Sequence, residues 1–414
     1  MMRILAIALR NLMRYRRRTL LTTLLITIGV VAVLLFIAVS SSFKSMMIGQ
    51  ITDSMLGHLQ IHKKGYVSSI DNLPLHLNMP PKMVDKVSEA LAEIDEVEAW
   101  SPRVKLGAMF SNFTETTNIR LNGVDPVRES QISPDLRKRF ISGGGGALVE
   151  KGRILVPELI AKGMKVKVGD PVVLVANNKD GSVNGMNFVV QGLLEGISGP
   201  GGRDGYIHLD DARALLRMDD HEVSEIAVRL KDLDHIETAR RQLQASIGIL
   251  KNKKGKPVFE IHPWEKLSPF SNIAKMIDLM TLFIKIMLVS IVLISVMNVM
   301  IMAVYERIRE IGTIAAMGTS PGSIRGLFIA EGFLLGLLGA VIGVFLSLGL
   351  VTVFRYAGIT FDFGRQKGLL LQPEIALGDV ILAAVMVIIV AILASLQPAW
   401  KASRMDPIDA LRHV

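Results

Sequence analysis

The sequence predicts an α-helical membrane protein with four transmembrane helices and one large extracytoplasmic α/β domain inserted between the first and second helices. Three observations carry this expectation. Half of the 414 residues are hydrophobic, with a mean hydropathy of +0.41. The apolar residues gather into four runs of spanning length, for which a bilayer needs about 20 residues. Between the first and second runs, residues 44–278 alternate short strand-like and helix-like segments of ordinary soluble composition.

The net charge of +9 is unevenly placed: the first eighteen residues hold six arginines and no acid, and they abut an apolar run. That arrangement reads as a topology signal at an anionic membrane face, so lipids are expected partners and nucleic acid is not. The chain has no cysteine, which excludes disulfide staples, thiolate metal sites and thiol catalysis.

In chain order, residues 1–18 form an interfacial helix, with Ile4, Leu5, Ala8, Leu12 and Tyr15 at helical spacing and most arginines elsewhere. Residues 19–43 are the first span. The run is uncharged and too long for the apolar core of a secretory signal, about 7–15 residues. The other spans are 279–304, broken only by Lys285, then 327–354 with Glu331 near its start, and 375–396. The arginine cluster sets both termini, residues 305–324 and the tail 397–414 in the cytoplasm, with the short loop 355–374 outside. That outer loop carries Arg355, Arg365 and Lys367, which the N-terminal cluster outweighs.

Two stripes continue the first and second spans outward: Phe43, Met47, Ile51 and Met55, and then Phe270, Ile273, Met276 and Ile277. They suit either a shared stalk or separate packing on the domain. Within the domain, strands are expected at HLQIHK, VEAWSPRVKLGAMF, TNIRLNGVDP, MNFVVQGLLEG, SEIAVRLKD and PVFEIHPW, and helices at PPKMVDKVSEALAEI and HIETARRQLQASI. A module at about 147–210 reads as inserted, entered through the flexible junction ISGGGGALVEKG. That junction lacks the GK[ST] ending of a phosphate loop, and no such pattern occurs elsewhere in the sequence. His58 and His62 share a strand face without a third ligand spaced nearby, so no metal site is expected. The Asp pairs at 210–211 and 219–220 read as caps and solvated turns. No catalytic residues are expected.

In the third span, Gly332/Gly336 and Gly339/Gly343 are small-xxx-small pairs that favour close helix packing, within the chain or across a dimer. Lys285, Asn298 and Glu331 invite a transport-path reading, and snorkelling explains Lys285 and Glu331 almost as well. The segment YERIREIGTIAAMGTSPGSI (305–324) is a short amphipathic helix, with Ile308, Ile311, Ile314 and Ala315 on one face, ended by Gly318. Its physics suits a docking knob for another protein or an ordinary interfacial loop.

The motif ERIREIGTIAAMGTSPGSI and the tail ASLQPAWKASRMDPIDALR, with ALRNLMRYRRRTLLTTL at the start, resemble the permease family of MacB, the lipoprotein-releasing permeases LolC and LolE, and FtsX. The resemblance covers essentially the whole chain. It implies an ATP-driven ABC exporter subunit whose 305–318 helix couples to a separate P-loop ATPase through Glu306, Arg309, Glu310, Ile311, Gly312 and Gly318. It further implies a tail motif of Pro398, Ala399, Arg404, Pro407, Ala410 and Leu411, and an ectodomain with porter and sabre-like parts. Two permease copies, or a copy and a paralogue, would pair around two ATPases. ATP and Mg would bind the ATPase and no cofactor this chain. Motion would pass outward by mechanotransmission to a lipoprotein or other amphipathic cargo at the bacterial inner membrane, with a periplasmic adaptor or lipoprotein carrier as a further partner. The chain starts at the permease, where MacB has its ATPase. Its NNKDGSVNG loop lacks the hook of LolC, which points to a LolE-type or general MacB-like permease. The alternative is an FtsX-like regulatory subunit that passes ATPase motion to an extracytoplasmic enzyme.

Overall fold

A computed structural model describes residues 2–197, 203–218, 221–252, 255–363 and 366–412. Expectations placed on Asp219, Asp220, Arg365 and residues 198–202 lie outside them. The chain divides into a helical unit (residues 1–45, 275–361 and 369–414) and an α/β unit (46–274 and 362–368).

Along the chain, α1 (Met2–Arg14) leads into α2 (Arg16–Ile51), which ends in a wide turn at Thr52–Leu56. There follow β1 (Leu59–Lys63), α3 (Pro81–Ala92), β2 (Val97–Ser111), β3 (Thr116–Val124), α4 (Pro126–Ile132), β4 (Phe140–Gly143), β5 (Arg153–Pro157) and α5 (Glu158–Gly163). Next come β6 (Pro171–Asn177), β7 (Val183–Leu194), β8 (Gly205–His208), α6 (Leu209–Leu215), β9 (Glu225–Leu230), α7 (Ile236–Ser246), β10 (Phe259–Pro263) and α8 (Trp264–Leu267). The rest comprises α9 (Phe270–Glu306), α10 (Ile308–Ala316), α11 (Pro321–Ala357), a β11–β12 hairpin (Thr360–Phe363 and Gln366–Leu370), α12 (Leu377–Ser403) and α13 (Pro407–Arg412).

Among the described residues four helices, α2, α9, α11 and α12, are long and apolar enough to cross a membrane. Each extends past the span read from hydropathy, because helix propensity continues where the apolar run stops. The loop expected at 355–374 instead holds the β11–β12 hairpin.

In the α/β unit the ladder runs β10-β1-β9-β2-β3-β8-β5-β7-β4, and β6 pairs with both β2 and β7. Six strands therefore close on themselves: β2, β3, β8, β5, β7, β6 and back to β2. Closure removes sheet edges, and the alternation of β6, with Val172, Leu174 and Ala176 inward, fills the interior. The other core lies against β10, β1, β9 and the start of β2, where α3 and α7 bury Val87, Leu91, Ala239 and Leu243. The fifteen-residue β2 belongs to both cores. The module expected at 147–210 therefore does not stand alone: its core includes Val104–Phe110 of β2 and Ile119 and Leu121 of β3. The glycine-rich junction is likewise part of the fold. Its first residues lie in β4, and Leu148 and Val149 are buried with Leu136, Leu155 and Tyr206.

The two outward stripes join this unit: Met47, Ile51 and Met55 are buried in the α3/α7 core, with Phe270, Ile273 and Ala274 against them. Within the helical unit the same two helices lie side by side, with Lys44 Nζ 2.7 Å from Asp278. Met276 faces away, so Ala274 takes its place in the stripe.

His58 and His62 are both buried. His58 Nδ1 accepts from the Leu230 amide, and His62 Nε2 lies 3.4 Å from Glu225. Strand register sets His62 opposite Glu225 and Glu225 opposite Arg103. Arg103 then bonds Glu129 of α4 through Nη2 (2.6 Å) and Nε (3.0 Å), and Glu225 through Nη1 (3.2 Å), while Lys105 Nζ is 2.9 Å from Glu225. A buried ionic row thus crosses three strands to a helix.

Gly332, Gly336, Gly339 and Gly343 of α11 serve two partners within the chain. A Cβ at Gly332 or Gly336 would lie 2.6 Å from Ser395 or 2.7 Å from Ala391, both on α12, and one at Gly343 would lie 2.7 Å from Val30 on α2. Gly339 faces Ile26 of α2 in the same way. The pairs build the bundle itself, since only a bare backbone admits α12 and α2 this closely. Gly343→Leu is expected to destabilise the helical unit by about 1–3 kcal/mol through overpacking. Thermal unfolding of the detergent-solubilised chain checks this against Gly349→Leu, where a Cβ meets nothing within 4 Å.

Candidate functional site

The 305–324 segment is shaped by three local events. Arg307 leaves helical geometry (φ −116°, ψ 18°) and separates α9 from α10. Gly318 takes φ 88° and ends the segment's helix, as a left-handed position after a last turn requires. Ser320 then caps α11, its side chain accepting from the Ser323 amide, with Pro321 in the first turn. The result is a nine-residue helix fixed between two spans.

Its apolar face turns onto its own chain. Ile311 and Gly312 are buried, with Ile308, Ile314 and Ala315 half-buried. The element against them is α13: a Cβ on Gly312 would stand 2.7 Å from the Ala410 Cβ and 3.6 Å from the Pro407 carbonyl oxygen. Two motifs about a hundred residues apart in sequence thus meet. Asp406 caps α13 by accepting from the Ile408 amide, and Pro407 opens it. Pro398 is buried inside α12, Ala399 is buried beside it, and the Arg404 guanidinium stacks 4.2 Å from the Trp400 ring. The side chain of Leu411 lies outside the described residues.

The charged residues bind α10 to α1 and α11. Glu331 of α11 is fully buried; its Oε1 accepts from Asn11 Nδ2 (2.8 Å) and Arg307 Nη1 (3.0 Å). Snorkelling therefore does not describe Glu331, which points into the bundle. Arg307 Nε also donates to Glu310 (3.0 Å), and its guanidinium lies 5.3 Å from the Tyr15 ring. Arg14 reaches Glu310 at 3.6 Å and Arg18 reaches Glu306 at 3.5 Å. Of the six expected coupling residues, Ile311 and Gly312 face inward, and Glu306 and Glu310 engage this chain's own arginines. Arg309 and Gly318 face outward beside Thr313, Ala316 and Met317. Lys285, by contrast, pairs loosely with Asp379 at 3.9 Å.

Asn11, Arg18 and Arg307 were not singled out from the sequence, and Tyr15 was placed only on the apolar stripe of the interfacial helix. A signal existed for one contact: an acid inside an apolar run requires a buried donor, and Arg307 is the nearest arginine at a helix break.

Residues 19–246 match the family model of the MacB-like periplasmic core domain, and residues 282–407 match that of the FtsX-like permease C-terminal. The lipoprotein-releasing system transmembrane protein LolC of Xylella fastidiosa (strain 9a5c) is 23% identical over 312 residues, covering 71% of this chain and 72% of that protein. LolC of Neisseria meningitidis serogroup B is 21% identical over 406 residues, covering 94% of this chain and 92% of that one. A probable export ATP-binding/permease protein MacB of Pseudomonas entomophila (strain L48) is 25% identical over 414 residues, 97% of this chain and 57% of that protein.

Proposed function

The chain belongs to the ABC transporter permease family that includes MacB-, LolC- and FtsX-like proteins, and on that premise we propose that it couples a P-loop ATPase to export at the bacterial inner membrane. In this reading α10 is the coupling helix, both termini are cytoplasmic, and residues 46–274 stand outside the membrane. One observation carries it: α10 is held by α1, α11 and α13 while its outer strip, Arg309, Thr313 and Met317, stays accessible. A push on that strip moves the start of α11 as a body, because Arg307 and Glu331 leave little slack between them.

A second permease copy or a paralogue completes the transporter. The motion is passed through the spans by mechanotransmission to the α/β unit, where a lipoprotein or another amphipathic cargo is released outward. ATP and Mg bind the ATPase.

The test is affinity capture of the tagged chain from its native membrane in mild detergent, followed by mass spectrometry. The wild type is expected to bring down a P-loop ATPase. Arg309→Glu with Met317→Asp should weaken that association at least about thirtyfold, the loss of about 2 kcal/mol or more that accompanies an interface hot spot, with membrane insertion unchanged. Equal recovery from both proteins refutes the assignment of α10.

A further inference from the structure

We infer that the groove between α11 and α12, at the end of the bundle that carries α10, binds the headgroup and first chain segment of an anionic phospholipid. The groove, of about 620 Å³, is lined by Gly322, Arg325, Gly326 and Ile329 on α11 and by Leu396 and Trp400 on α12, among others. It exists because the two helices are drawn together at Gly332 on Ser395 and Gly336 on Ala391, while a Cβ at Gly322 meets nothing within 4 Å.

The lining is graded along its length. On α12, Leu396 and Trp400 line the groove one turn apart on one face, and Arg404, beyond the lining and just past the helix end, lays its guanidinium 4.2 Å from the Trp400 ring: apolar, aromatic, then cationic. On α11, which runs the other way, Arg325 precedes Ile329 by one turn. Extending the register of the glycine contacts brings Arg325 level with the stretch from Trp400 to Arg404. Both walls therefore change from apolar to cationic in the same direction, at the ends of the expected spans 327–354 and 375–396.

The charge is uncompensated. Among the described residues neither Arg325 nor Arg404 forms an ion pair, and no acid lines the groove. Asp406, the next acid along the chain, caps α13. Lys401 is turned aside, its Nζ 2.6 Å from the Tyr305 hydroxyl. Trp400 is half exposed with Arg404 on its ring, an aromatic at the depth where indoles meet headgroups. A phosphodiester between Arg325 and Arg404, with an acyl chain along Ile329 and Leu396, satisfies both ends of the gradient.

The experiment uses the full chain in phosphatidylcholine bilayers that contain a minor fraction of brominated-chain phosphatidylglycerol or, in parallel, brominated-chain phosphatidylcholine. Trp400 quenching is read as the difference between the wild type and Trp400→Phe, which removes the signals of Trp100 and Trp264. Phosphatidylglycerol is expected to quench Trp400 at a lower fraction than phosphatidylcholine. Each of Arg325→Gln and Arg404→Gln should lower that preference about fivefold, the effect of one cation near an anionic headgroup. Quenching by brominated phosphatidylcholine, unchanged in the variants, shows that the bundle is intact. Equal quenching by the two lipids in the wild type, or a preference that survives both substitutions, overturns the proposal. So does the absence of quenching by either lipid, which would mean that protein fills the groove. Reversal of the preference by soluble glycerol phosphate would make it a free-anion site and overturns it as well.

Discussion

Arg103→Met is expected to destabilise the α/β unit by about 3–5 kcal/mol, the loss that follows when one member of a buried ionic group is removed. The magnitude rests on what is left behind. Arg103, Glu129 and Glu225 are all buried, and Glu129 depends on Arg103 for both of its oxygens. Methionine fills most of the volume but leaves the Glu129 carboxylate with Ser133 as its remaining partner in the row. For a unit of this size each kcal/mol moves the midpoint by about 2–4 °C, so a fall of about 6–20 °C is expected. Intrinsic fluorescence of the full chain reads it, because Trp100 and Trp264 lie in this unit. The double variant Arg103→Met/Glu129→Leu should recover much of the loss, since an apolar pair of similar volume replaces an ion pair at little cost. A single variant that melts with the wild type would show the row to be energetically idle.

The same row sets an acid limit. Burial alone would raise the Glu225 carboxyl, but Lys105, His62 and Arg103 together outweigh it and hold the group well below the ordinary carboxylate range. Asp53 is lowered too: burial opposes the shift, and His58 and Arg229 overcome it. A carboxylate whose folded pKa is depressed contributes stability that is full above its unfolded value, about 4, and is lost as pH falls further. The midpoint of the wild type should therefore hold above that range and drop below it, with a shallower drop in Glu225→Gln.

What could be read in advance follows from how far each feature reaches along the chain. The spans were legible because an uninterrupted apolar run needs no partner to be recognised. Much of the strand and helix order of residues 59–263 was legible because its periodicities are local, but the short α4 and β4 were not expected. Closure of the β2–β6 ring was not, since pairing Ala108 with Ala176 joins residues that no period links. Likewise, the glycine spacing in α11 announced close packing but not its partners. The coupling and tail motifs were visible as patterns, yet Gly312 against Ala410 shows that one function of the pairing is to hold α13 on α10 within the chain. The partners of His58 and His62 were not legible, because Leu230 and Glu225 come from β9, more than 160 residues later.

Glu331→Ala is expected to release α10. Glu331 is the fully buried carboxylate that receives both α1, through Asn11, and the start of α10, through Arg307. Alanine removes it from a fully buried position and leaves Arg307 with the half-exposed Glu310 as its ion partner. Pairs as exposed as that one contribute about 0–1 kcal/mol, whereas a broken buried pair costs about 3–5 kcal/mol. The difference falls on the local opening of α10, because the spans on either side keep their apolar packing and the Gly332 and Gly336 contacts do not involve Glu331. Amide hydrogen exchange in residues 308–316 should then accelerate about a hundredfold or more, at tenfold per 1.4 kcal/mol, while the centres of α11 and α12 exchange as in the wild type. Glu310→Ala is the companion measurement, with an expected change of less than about fivefold. If α10 is the lever that drives α11, a freed α10 moves without its load. An ATPase bound to the Glu331→Ala chain would go on hydrolysing ATP while release of cargo stops. Unchanged exchange in α10 would show instead that Gly312 on Ala410 suffices to hold the helix, and would transfer the coupling role from the buried carboxylate to the tail.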